Sequence, residues 1–260
     1  MTYQDIHLDI CGDQQEIAVV RLSRGAKRKD LSDALELGLR NLFEQLPATV
    51  RAAVIDGEGP HFCAGLDLSE LKERDAGQGL HHSRMWHAAL ERVQYGPVPV
   101  VAALHGAVVG GGLELASACH IRVADSTTFY ALPEGSRGIF VGGGGSVRIP
   151  KLIGAARMTD MMMTGRVYNA EDGERAGFAQ YLVPEGTAFD KALELAKRIA
   201  SNAPLTNYAL MHALPRIAEQ PADHGFFTEA LIAGIAQSAP EAKERVRDFL
   251  EGRAAKVQKS

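Results

Sequence analysis

Residues 97–119 read PVPVVAALHGAVVGGGLELASAC, and the order of events along that stretch decides the fold. Val98 to Leu104 is an apolar run of strand length. His105, the glycines and Glu114 interrupt the apolar character beyond it, so the region reads as a buried strand and a helix over 111–119, not as a membrane span. Gly110-Gly111-Gly112 opens that helix with main-chain amides that no side chain covers. A helix start carries positive partial charge. Glu114 lies three residues past Gly111, on the same face about one turn along, and its Cβ tilts back toward the helix start. One short segment therefore offers an amide donor at Gly111 for a developing oxyanion and a base, Glu114, beside it. Close packing of bare backbone, with an acid favoured by the helix dipole, accounts for the same segment equally well in isolation.

Working outward, residues 4–24 read as two strands joined at Gly12-Asp13, and 31–46 as a helix whose Leu31, Leu35, Leu39, Leu42 and Leu46 share a face. Val50 to Asp56 is a short strand ended by Gly57-Glu58-Gly59-Pro60. Lys72 to Val93 is polar, rich in histidine and helical in part, while Ile121 to Ala124 and Thr128 to Ala131 are brief strands. Strands alternating with helices give an α/β class with parallel pairing. Beyond Pro184 the runs 189–201, 204–218, 222–238 and 240–252 all read as helices. The expected boundary falls at residue 195, with a core over 1–195 and a helical region over 196–260. Four helices with apolar faces and no sheet of their own need a surface to pack on, and a neighbouring subunit would supply one.

A chain of 260 residues can bury one large core. With 23% charged residues and a net charge of −4 it has no overall basic character, so neither nucleic acid nor a membrane is an expected partner. Cys11, Cys63 and Cys119 cannot all pair and show no CxxC spacing, which suits a reducing, cytoplasmic setting and gives no reason to expect a structural metal. The polar opening Met1 to Asp5 carries no sign of a targeting peptide.

Two further segments carry chemistry-bearing residues. In Phe62-Cys63-Ala64-Gly65-Leu66-Asp67-Leu68 a tight turn at Gly65 would leave the Leu66 amide facing a cavity as an oxyanion donor, while Asp67 and Glu70 resemble a capping pair; an ordinary strand–loop–helix turn fits as well. In Leu132-Pro133-Glu134-Gly135, Glu134 gains interest from Glu114, because two converging carboxylates let one activate water while the other handles a proton at carbon. The run Gly142 to Gly145 is costly to order and makes sense where backbone lines a pocket. No G-x-G-x-x-G, Walker loop or G-x-S-x-G elbow is present. His81, His82 and His87 have no partner at ligand spacing, and a surface or pocket-lining role fits them better than a metal.

These residues together resemble the crotonase superfamily, most closely its enoyl-CoA hydratases. The likeness spans Ile17 to Gly252. It rests on residues 62–68, on Pro99 to Gly106 leading into Gly110 to Ala116, on Pro133-Glu134 with its glycine-rich sequel, and on Arg148-Ile149-Pro150-Lys151-Leu152-Ile153-Gly154, Thr164-Gly165-Arg166 and Phe249 to Arg253. The resemblance implies a spiral of ββα repeats with a C-terminal helical region that builds homotrimers or hexamers and completes the coenzyme A site. It implies an acyl-CoA substrate, with coenzyme A entering as part of that substrate and no separate cofactor. By position, Leu66 and Gly111 match the two amide donors, and Glu114 and Glu134 the two acids of hydratases. Ala64 matches the backbone that touches adenine. Arg24 and Lys27 lie in the basic stretch 23–30 suited to the phosphates, although the usual Asn-Arg-Pro is absent. Asp67, Leu71, Met85, Trp86 and Gly142 complete the expected substrate contacts. Retention of both glutamates favours hydration of a trans-2-enoyl thioester over the Δ3-Δ2 isomerisation, or non-catalytic CoA-ester binding, of other members.

Overall fold

The computed structural model describes residues 2–3, 5–23, 32–65 and 73–253. Its larger sheet collects β1 (Thr2–Tyr3), β2 (Ile6–Cys11), β3 (Ile17–Leu22), β4 (Ala52–Gly57), β5 (Val100–Leu104), β7 (Ile121–Asp125) and β10 (Tyr181–Val183), in the order β1-β2-β3-β4-β5-β7-β10. The first three pair antiparallel and the rest parallel. Every residue of β4 and β5 is buried, as expected where helices cover both faces of a parallel sheet. Side-chain alternation then sorts the strands. Ile17, Val19, Val54, Val101 and Val123 meet the apolar face of α7 (Ala188–Ala200). Val20, Leu22, Ile55, Ala102 and Leu104 face the opposite core, which holds α1 (Asp33–Glu44), α2 (Ala76–Gln94) and α3 (Gly111–Ala118).

A smaller sheet runs β6 (Ala107–Val109), β8 (Phe129–Ala131), β9 (Tyr168–Asn169). Cys63 joins it through a parallel bridge to Val108, with Cys63 N–H donating to Ala107 O at 2.9 Å and Val109 N–H to Cys63 O at 3.0 Å. Successive turns of the chain thus place one strand in the large sheet, one extended segment in the small sheet, then a helix: β4, Cys63, α2; β5, β6, α3; β7, β8 and the helices after it. This is the ββα spiral. The helices beyond β8 are α4 (Gly145–Ile153), α5 (Ala155–Thr164) and α6 (Ala170–Ala176).

The chain divides into two compact units, Met1–Ala200 and Ser201–Ser260. The helix α7 that carries residue 195 is part of the first. The second unit contains α8 (Pro204–His212), α9 (Leu214–Ile217), α10 (Ala222–Ser238) and α11 (Pro240–Leu250). What reads in the sequence as one helix over 204–218 breaks at Ala213, two residues before Pro215, because proline offers no amide to the preceding turn. Phe226, Phe227, Leu231, Ile235, Phe249 and Leu250 of this unit are exposed. Among the described residues no helix is long and apolar enough to cross a membrane.

Candidate active site

The register of the small sheet explains how two distant glutamates meet. β6 and β8 pair in parallel with Val109 opposite Ala131, and Gly110 N–H donates to Ala131 O at 2.9 Å. Both chains therefore leave the sheet at the same end. One turns through Gly110 into α3 and reaches Glu114; the other passes Leu132-Pro133 and reaches Glu134. Gly110 adopts φ +54°, a conformation open to glycine, and a Cβ there would lie 2.8 Å from Glu134 Oε1. Of the triplet, Gly112 serves packing: a Cβ at that position would collide with Cys63. Past Glu134 a short 3-10 turn (Gly135–Arg137) and Ile139 fold back, so that the amides of Arg137 and Ile139 both donate to Glu134 O.

Glu114 and Glu134 border a cavity of ≈ 350 Å³. Its boundary also includes Ala64 and Gly65, the helix start at Gly110-Gly111, Trp86 on α2, and the segment from Ile139 to Gly143. The expected site residues Ala64, Gly111, Glu114, Glu134, Trp86 and Gly142 thus meet around one space. No acceptor among the described residues takes the Gly111 N–H. Arg24, Lys27, Leu66, Asp67 and Leu71 lie outside the described residues. Met85 departs from expectation: its side chain packs against the main core and does not line the cavity.

The glycine run has a specific job. Gly143 N–H and Gly145 N–H each donate to Glu114 Oε1 at 2.8 Å. A Cβ on Gly145 would stand 2.9 Å from Glu114 Cγ and Oε1, so the carboxylate can nestle against this backbone only where side chains are missing. Arg148 steadies the strap, giving Nη1–H to Gly143 O at 2.8 Å and Nε–H to Gln94 Oε1 at 2.6 Å. Ser83 Oγ–H donates to Gly142 O at 2.6 Å. The strap was expected to line the pocket; its grip on Glu114 was not legible beforehand.

Electrostatics separate the acids. Burial pushes Glu114 up to about 7; the two strap amides and Arg148 pull the other way, and the charge of Glu134 adds to the rise. Burial also raises Glu134, against the nearby Arg137 charge, and its Oε2 has no hydrogen-bond partner among the described residues. A third acid, missed by sequence reasoning, is Glu36 on α1. It is 0% exposed, neither carboxyl oxygen has a partner among the described residues, and burial followed by the charge of Glu114 pushes it up to about 8. Asp33, one turn earlier, is different: burial acts to raise it, but hydrogen bonds from Trp86 and His82 and the Arg74 charge hold it below the ordinary value. Among the described residues no group of three His, Cys, Asp or Glu side chains is placed to hold a metal ion.

Amide donors at a helix start, two raised carboxyls and a cleft between them could move protons next to a carbonyl. A sequence profile described as enoyl-CoA hydratase/isomerase matches residues 12–259. The chain belongs to the enoyl-CoA hydratase/isomerase family. A relative in Escherichia coli (strain K12), the 2,3-dehydroadipyl-CoA hydratase, is 30% identical over 94% of this chain and 96% of its own length. Among solved structures, one from Rhodopseudomonas palustris CGA009, whose hydratase name is itself provisional, shares 56% identity with TM-score 0.92, covering 97% of each chain. The enoyl-CoA hydratase of Bacillus anthracis shares 31% with TM-score 0.88, over 96% of this chain and 97% of that one. The ββα spiral with helices at its end is the fold of this family.

Proposed function

We propose that the protein is an enoyl-CoA hydratase that adds water reversibly across the 2,3 double bond of a trans-2-enoyl-CoA thioester. The observation that carries this reading is the convergence of Glu114 and Glu134 on one cavity beside the Gly111 amide, which no acceptor among the described residues takes. The thioester oxygen accepts from Gly111 N–H, with the Leu66 N–H expected from the sequence as second donor. Negative charge then develops on oxygen as water attacks Cβ. Glu114, held by its two amides, takes the proton from the attacking water. Glu134, whose carboxyl is raised by burial, gives its proton to Cα. Proton exchange between the acids and solvent restores the starting state. Both acids reach the bond from the same cavity, which favours addition to one face.

Coenzyme A takes part here as a portion of the substrate. The exposed apolar side chains of the second unit, Phe226 to Ile235 with Phe249 and Leu250, support association of copies of the chain as homotrimers or hexamers. The decisive experiment is incubation with a short trans-2-enoyl-CoA while following loss of the conjugated absorbance. Steady loss with a 3-hydroxyacyl-CoA product is the expected result. Shift of a 3-enoyl-CoA to the conjugated isomer without hydration would instead make the protein an isomerase of the same family.

A further inference from the structure

One wall of the cavity has no part in moving protons at the double bond, and it is polar. Gly79, His82, Ser83 and Trp86 stand at helical spacing, so a single face of α2 forms it. Trp86 Nε1–H donates to Asp33 Oδ1 at 3.1 Å, and His82 Nε2 meets the same oxygen at 2.7 Å. With Nε2 held there, the imidazole presents its Nδ1 edge away from Asp33. Ser83 has already given its hydroxyl proton to Gly142 O. Arg74, half-buried just before α2, lines the same space, and no hydrogen bond or ion pair engages its guanidinium among the described residues. Its charge is felt by Asp33. The other arginine on the cavity, Arg137, acts on Glu134.

Asp33 already accepts from Trp86 and meets His82, while the permanent cation of Arg74 has no such partner among the described residues. An alkyl end packed here would strip water from the guanidinium and return nothing. An anionic end would gain a charge-assisted, bidentate partner in Arg74.

We propose that Arg74 recognises a carboxylate at the far end of the acyl group, so that the preferred substrates are enoyl thioesters of dicarboxylic acids. This inference rests on the hydratase reading of the same site. Coenzyme A itself carries phosphate anions that a guanidinium could bind, and the test separates the two sources.

Two homologous series of trans-2-enoyl-CoA thioesters, matched in length, are compared, one ending in a methyl group and the other in a carboxylate. The readout is the ratio of kcat/KM between the series. The wild-type enzyme should favour the carboxylate series by about 10- to 100-fold, the range expected of a charge-assisted contact. Arg74→Gln should bring the ratio close to one, and Arg74→Glu should invert it. Equal turnover of the two series by the wild type overturns the proposal. So does an equal fall on both series in Arg74→Gln, which would put the guanidinium on the phosphates. Should neither series be hydrated, the hydratase reading fails instead. Calorimetric affinities of the matching saturated CoA thioesters then decide the recognition question by the same ratio.

Discussion

Glu114 on α3 and Glu36 on α1 are buried to nearly the same degree, at 3% and 0% exposure, yet their surroundings differ. Glu114 faces a strap of bare backbone that donates two amides to one oxygen and leaves the other toward the cavity. Glu36 has no partner for either oxygen among the described residues. Burial lifts both, and the charge of each penalises ionisation of the other. Hydrogen-bond donors decide which acid carries the charge when only one of them can. Near neutrality the proton belongs on Glu36 and the charge on Glu114, the disposition that a base beside a water molecule requires. Arg148 reinforces it, since its charge favours ionisation of both acids while its hydrogen bonds hold the strap at Glu114.

The largest expected effect breaks the comparison at its functional end. Glu114→Gln should lower the hydration kcat by about 10²–10⁴-fold while CoA-ester binding persists, because a general base is lost and little else. Glu36→Gln, which removes a titrating group outside the cavity, should stay within about tenfold of the wild type. Similar losses in the two variants, measured by the absorbance assay and by calorimetric binding of a saturated acyl-CoA, would mean that burial and not the strap selects the base.

A smaller effect tests the strap itself. Gly145→Ala places a methyl group 2.9 Å from Glu114 Cγ and Oε1. The carboxylate must move, and misplacement on that scale should cost about 10- to 100-fold in kcat with the circular dichroism spectrum unchanged. The pH profile sharpens the same point. Glu114 must be ionised to accept a proton, so kcat/KM should fall as pH drops through about 7. Glu134 must be protonated to donate, so its ionisation sets a second limb, and the two limbs belong to the coupled pair. A profile flat through neutrality would show that Glu114 ionises as an ordinary carboxyl.

Much of the layout was legible from sequence because a few local rules each force a position. The alternation of short apolar runs and helices gave the parallel sheet, and the glycine triplet before Leu113-Glu114 marked a helix start against a cavity. The spacing between Glu114 and Glu134 was visible, but its cause, the opposition of Val109 and Ala131 in a three-residue strand, was not. β6 is too short to stand apart from the apolar run around it. On the cavity face of α2, Trp86 and a pocket-lining role for His82 were read from the sequence, but Gly79 and Ser83 have no apolar signature to mark an inward stripe. Glu36 was hidden for the opposite reason. It sits beside Leu35 on the stripe completed by Leu39, Leu42 and Phe43, and a charged residue type argues for solvent whatever its neighbours. The hydrogen bonds of the strap were beyond reach, since they join residues that are far apart in the chain.

The smallest expected effect concerns stability, and it isolates the price of Glu36. In the unfolded chain its carboxyl titrates near the ordinary 4.5, and in the folded protein near 8, so the folded state holds the proton more tightly. Linkage then gives the sign: wild-type stability is greatest below the lower value and is lost as pH rises through the higher one. A methionine of similar volume does not titrate and fills the same space without an orphaned polar atom. Glu36→Met should therefore unfold at a higher temperature than the wild type, with a gain that grows between about pH 5 and about pH 8 and then levels. Thermal unfolding of the full chain across that interval reads it directly. An offset that does not change with pH would show that donors reach the Glu36 oxygens in solution, and Glu36 would then no longer contrast with Glu114.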